Sequence, residues 1–208
     1  MDWIAAKVSE HLLHQKPFVC YVKPNAQKVV GLFQRTTEHT SFDAYASGFC
    51  MVSFDGKSKY MLRDSQCDLY VAAFSIAAYA WPVTSPSFSS DDKIHFEQLV
   101  AKALEAIQQN RFQKVVLSRK ECVAAPHLDV FAVFQRLLQF YPTAFRYLWY
   151  HPETGIWIGA TPEQLVKKEG QTLSTVALAG TQLGPNHADL VWGEKEVQEQ
   201  QLVTDYIT

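Results

Sequence analysis

RFQKVVLSRKECV, residues 111–123, is the stretch on which the fold turns. Its centre, Val115-Val116-Leu117, sets apolar side chains on both faces, as a strand covered on each side requires. Yet Lys114 enters it and Arg119 leaves it. Alternation places Lys114 with Val116 and Ser118 on one face, and Val115, Leu117 and Arg119 on the other. From the residues alone Lys114 has two readings. Its aliphatic stem carries an ammonium out to water, or it is a partly desolvated amine whose pKa falls toward neutrality and which serves as a general base. Arg119 reads as a structural ion pair or a solvent contact.

Working outward, the stretch follows a helical stripe, Phe96, Leu99, Val100, Ala103, Leu104 and Ile107, that ends near Asn110. Ser90 or Asp91 is its expected N-cap. The Ser- and Pro-rich segment 82–92 before it reads as a linker, which divides the chain into residues 1–90 and 91–208. The first part opens with a helix whose stripe is Trp3, Ile4, Val8 and Leu12. Strands are predicted at 18–22, 28–33, 48–54 and 59–63. After the quoted stretch come a helix over 128–141 stopped by Pro142, and a hairpin that turns at Pro152 to Gly155. Two short strands around 169–170 lead into the strand-like 174–181, and a helix from Gly193 closes the sequence. Its apolar stripe runs on to Thr208 with no C-cap glycine, as in a protein cut short.

Composition narrows the function classes. A chain of 208 residues with 48% hydrophobic and 19% charged residues buries a core without staples. A net charge of −2 with no basic run gives a phosphate backbone nothing to hold, which argues against nucleic acid. No stretch reaches the length of a membrane span, and the N-terminus lacks the apolar core of a signal peptide. Cys20, Cys50, Cys67 and Cys122 lie far apart with no His at metal-ligand spacing, and so read as reduced, mostly buried residues of a cytoplasmic protein.

Three further stretches carry chemistry. In IGATPEQLV (158–166), Pro162 fixes the direction in which Glu163 is presented, either as a solvated turn residue or as a general acid. In TVALAGT (175–181), Gly180 and Thr181 form a plain strand exit or a backbone cradle for a small carboxylate. In the last helix Glu196 and Glu199 stand in line with Val203 and Tyr206. They read as an acidic first turn, with Lys195 pairing to Glu199, or as two hard oxygen ligands for Mg²⁺.

In this order KVVLSR, GATPEQLV, TVALAGT and WGEKEVQEQ resemble the chorismate-utilising enzymes, over residues 114–199. The resemblance implies an α+β chorismate-binding fold like that of anthranilate synthase component I, with antiparallel sheets packed face to face, outer helices, and its later part missing here. It makes Lys114 the base that activates water toward C2 of chorismate and Glu163 the acid that protonates the leaving C4 hydroxyl. Leu178, Ala179, Gly180 and Thr181 would line the substrate site, and Glu199 with Glu196 would hold Mg²⁺ against the substrate carboxylate.

Lys114 together with Ala179 is similar to the water-using, isochorismate-forming branch, which feeds menaquinone or siderophore synthesis and is a monomer at full length. The salicylate-forming branch is the alternative, and a non-catalytic small-molecule binding or interaction module is the alternative outside the enzymes. Gln200 departs from the family's usual His, and residues 1–90 match it only loosely. Because the family's later metal and substrate ligands fall outside these residues, the piece is expected to be inactive alone.

Overall fold

A computed structural model describes residues 2–74, 90–182 and 191–208. Of the expected linker at 82–92, residues 82–89 lie outside the described residues, and 90–92 are already helical. The chain packs as two compact units, the first made of residues 1–79 and 126–162, the second of 80–125 and 163–208. This differs from a division at residue 90, because the strand at residues 145–151 pairs with the strand at 18–22.

The first unit contains α1 (Asp2–Leu13), β1 (Phe18–Val22), β2 (Lys28–Gln34), β3 (Gly48–Val52), β4 (Lys59–Arg63), β5 (Cys67–Ala73), α3 (Val130–Phe140), β6 (Phe145–His151) and β7 (Gly155–Thr161). Five strands form an antiparallel sheet in the order β5-β2-β1-β6-β7, and β3-β4 form a separate antiparallel ribbon. Alternation divides each sheet strand between two cores. Phe18, Cys20 and Val22 face α1 and α3 together with Val29, Phe33 and Leu148, against Ile4, Val8, Phe134 and Leu138 of the helices. Val19, Leu32 and Trp149 face the ribbon and meet Leu62, Phe49, Met51 and Tyr60. This unit is thus a mixed arrangement of helices and antiparallel sheets.

Local chemistry sets the element ends. The Asp129 carboxylate caps α3 by accepting from the amides of Phe131 and Ala132, both at 3.0 Å. The β6-β7 turn closes on Gly155, whose φ of +72° suits glycine. Arg146 is buried at 1% exposure, and its guanidinium donates to the carbonyls of Ala144, Leu138 and Lys23, each at 3.1 Å. One cation thereby ties α3 and β6 to the loop after β1.

The second unit contains α2 (Ser90–Gln108), β8 (Lys167–Glu169), β9 (Thr172–Ser174) and α4 (Glu194–Ile207). Ser90 and Asp91 lie inside α2 rather than capping it, and the residue before Ser90 lies outside the described residues. Asn110, at φ +56°, takes the left-handed conformation that ends the helix, and the Arg111 amide donates back to Ala106. Two expected strands are not formed. Residues 113–123 and 175–181 join no sheet, and Val116 is 81% exposed where a buried position was predicted. A strand apolar on both faces needs a ladder at its edges and cover above and below. Among the described residues none supplies them.

Candidate functional site

The candidate site lies within the second unit and is built on α4. A cleft of about 600 Å³ is lined by Phe96, Val100 and Leu104 of α2, by Lys114, Val115 and Leu117, and by Lys195, Glu199 and Leu202 of α4. Its floor is the apolar stripe of α2, whose Phe96, Leu99, Val100, Ala103 and Ile107 are half-buried as the periodicity requires. Leu104 departs from that stripe's burial at 54% exposure. The predicted facing of Lys114 also needs correction. It shares the cleft with Val115 and Leu117 instead of Val116, because without a sheet the pleat no longer imposes alternation.

Lys114 Nζ lies 3.5 Å from Glu199 Oε1 and donates to the Glu199 carbonyl oxygen at 3.4 Å. Both side chains are only about a quarter exposed. Lys195 Nζ donates to the other carboxylate oxygen, Oε2, at 3.0 Å and lies 3.7 Å from Glu196 Oε1. The Lys195 hydrogen bond is the main reason the Glu199 carboxyl is held below its ordinary pKa. Burial opposes the shift, and the charges of Lys195 and Lys114 add to it. Glu199 is therefore an ionised acceptor at neutral pH, gripped by one lysine from its own helix and one from 85 residues away.

Glu196 and Glu199 stand on the partly buried face of α4, with Gln200, Leu202, Val203 and Thr204. Tyr206 does not continue that face, being 91% exposed near the end of the helix. A smaller cleft of about 350 Å³ lies on the Glu196 side, lined by Ala177, Leu178, Ala179, Trp192, Glu196, Val197 and Gln200. Gly180 has a φ of +78°, so the left-handed turn itself calls for glycine there. A Cβ at this position would meet Glu196 Cβ at an ordinary 3.5 Å. The Ala-Gly-Thr turn is thus laid against the first turn of α4. Gln200 helps to hold it, donating to the Ala177 carbonyl at 3.4 Å and to Thr204 Oγ1 at 3.0 Å.

The predicted residues accordingly fall into three places. Lys114 and Glu199 meet in one cleft, and Leu178 and Ala179 share the other with Glu196, beside Gly180. Thr181 is exposed just beyond them. Glu163 is exposed in the loop before β8 and lines neither cleft. Arg119 pairs with Glu121 at 3.1 Å, in keeping with its structural reading. The role of Gln200 was missed, although its position one helical turn after Glu196 was the signal for it.

Glu196 and Glu199, three residues apart on α4, are hard oxygen donors of the kind Mg²⁺ takes, and each is engaged by a lysine ammonium that a cation would have to displace. Of the cysteines, Cys20 and Cys67 are buried as expected, while Cys50 and Cys122 are exposed, and all four are free. Among the described residues no helix is long and apolar enough to cross a membrane.

A family model described as "Chorismate binding enzyme" matches residues 71–208. The chain belongs to that family. The resemblance carried by the four motifs is thereby borne out. The chain is also 30% identical over 118 residues to isochorismate synthase EntC of Escherichia coli (strain K12), and equally so to isochorismate synthase EntC of Escherichia coli O157:H7. Each match covers 52% of this chain and 30% of the relative, so the chain spans about a third of the length of these curated relatives. No solved structure matches the chain.

Proposed function

We propose that this chain is the part of an isochorismate synthase that carries the catalytic base and one carboxylate set for Mg²⁺, in a cytoplasmic enzyme of menaquinone or siderophore synthesis. The observation that carries the reading is the meeting of Lys114 and Glu199 in one cleft across 85 residues of sequence. Family membership and the likeness to two isochorismate synthases support it.

In this reading chorismate gains a water oxygen at C2 and loses its C4 hydroxyl as water, with both conjugated ring double bonds moving, from C1=C2 and C5=C6 to C1=C6 and C4=C5, so that substrate and product are isomers. Lys114 takes the proton from the attacking water, which requires its neutral form. Glu163 gives its proton to the departing oxygen, and its loop position means that it acts from outside the two clefts described. The turn at 178–181 holds the ring and its carboxylate near the N-terminus of α4, where the helix dipole favours an anion. Glu196 and Glu199 would hold Mg²⁺, whose contribution when bound is to neutralise the substrate carboxylate.

The test is a Mg²⁺-dependent chorismate turnover assay on the full-length protein. Lys114→Ala should lower kcat by roughly a hundredfold or more, as expected for loss of a positioned general base. Full activity in that variant would remove Lys114 from the role. Formation of salicylate with pyruvate as the main products would move the assignment to the salicylate-forming branch.

A further inference from the structure

The first unit holds a side-chain cluster that takes no part in the proposed chorismate chemistry. His39, in the loop between β2 and β3, His151, at the end of β6, and Glu153, in the β6-β7 turn, bring one ligand-capable atom each to within 4.8 Å of the others. We propose that these three residues form a binding site for a divalent transition-metal ion of the Zn²⁺ class, with two imidazole nitrogens and one carboxylate oxygen as ligands. Two histidines and one carboxylate are a donor set of borderline softness, suited to Zn²⁺ and poorly suited to Mg²⁺ or Ca²⁺.

The supporting structure argues that the cluster is built. His151 is 5% exposed and its ring is packed between two aromatic neighbours, stacked on Trp149 with centroids 6.1 Å apart and tilted on Tyr60 at 4.8 Å. The turn that presents Glu153 is pinned by the Trp149 indole, which donates to Thr154 Oγ1 at 2.9 Å, and by the Thr154 amide on the His151 carbonyl. His39 is fixed through both of its chain neighbours. Buried Gln34 donates to the Glu38 carbonyl at 2.8 Å, and the Thr40 hydroxyl donates to Gln66 at 2.9 Å and Gln34 at 3.3 Å. Ligands mounted on packed neighbours and hydrogen bonds are what a metal site requires.

The Glu153 amide donates to His151 Nδ1 at 3.2 Å, so in the neutral ring that nitrogen carries the lone pair, and an ion that takes it displaces one long hydrogen bond. His39 Nδ1 lies 3.5 Å from Glu153 Oε1, close to the spacing of about 3.4 Å between ligand atoms of a tetrahedral zinc site. Both of these side chains are about half exposed, so they are the ones free to close on the ion while His151 stays in place.

Titration of the metal-free full-length protein with Zn²⁺, followed by calorimetry, tests the assignment. One ion per chain is expected, with affinity lowered roughly tenfold or more by His39→Ala and by Glu153→Gln, and unchanged by His14→Ala in the exposed turn after α1. The two loop positions are used because a His151 variant would also disturb the aromatic packing. In parallel, Co²⁺ should give the strong visible bands of a tetrahedral nitrogen-oxygen site, lost in His39→Ala. The proposal falls if Zn²⁺ does not bind, if binding survives both loop variants, or if Co²⁺ shows a thiolate charge-transfer band, which would put the ion on a cysteine.

Discussion

The two units bury the side chains of one sequence very differently. In the first, Phe18, Val19, Cys20, Val22, Leu62, Phe134, Leu148 and Trp149 are fully excluded from water. In the second, no described residue is buried, and Val116, Leu165, Val191 and Leu173 are more than half exposed. The difference lies in hydrogen bonding as well as in composition. Every strand of the first unit has a paired neighbour, so its apolar side chains have a surface on which to align. The stretches 113–123 and 175–181 have comparable side chains and no ladder. Apolar residues without a paired backbone do not make a layer.

The comparison is broken most directly by hydrogen exchange. Amides of β1, β2 and β6 should exchange at least roughly a thousandfold more slowly than those of 113–123 and 175–181, because they open only with the whole unit. Equal protection in the two regions would show that the second unit is as well packed as the first. Trp149→Ala should destabilise the first unit by about 3–5 kcal/mol in urea denaturation, since it removes a fully buried indole shared by the sheet and the ribbon. Asp129→Ala, which leaves two α3 amides without their acceptor, should cost about 1 kcal/mol in the same experiment.

A pH scan sharpens the contrast further. His11 and His151 are both in the first unit, and burial is the main cause that lowers the pKa of each on folding. The unfolded chain then binds protons more readily than the folded one. Stability from these residues is present above the ordinary imidazole pKa of about 6.5 and is lost as pH falls below it toward the depressed folded values. The first unit's Tm should therefore decline between about pH 7 and pH 5, and the decline should shrink in His11→Gln. The smallest effect belongs to Tyr206→Ser in the second unit, expected within about 0.5 kcal/mol because the ring is in solvent.

How much could be read beforehand follows the same division. FVCYV and KYMLR were legible as strands to the residue, since each is bounded by turn signals and packs where its pattern points. β5 was not, because Leu69 and Val71 face solvent at an edge and Asp68 interrupts the apolar run. Gln34 and His11 were missed as core residues because nothing local says that a polar side chain will find its partners. His11 does so 23 residues away, on the Gln34 carbonyl. In the second unit the side-chain patterns suggested strands that a sheet would have had to complete.

Site legibility had a different source. Lys114, Glu196 and Glu199 were picked out from the residue pattern with two readings each, the resemblance chose between those readings, and the structure adds that the lysine and Glu199 share a cleft. The pairing of His39 with His151 and Glu153 was illegible because it spans over a hundred residues and depends on the meeting of two loops. Only the short-range His151 to Glu153 spacing lay in plain view.

The place of β1 in the middle of its sheet has a consequence for synthesis. Its partner on one side, β2, follows within a few residues, but its partner on the other, β6, pairs Tyr150 with Phe18 and Arg146 with Val22. At about 5–20 residues per second, well over a hundred residues must be translated between them, which takes on the order of ten seconds. Throughout that time a nascent chain displays Phe18, Val19 and Cys20 along an unpaired strand edge. This is the interval in which a holding chaperone would have most to protect.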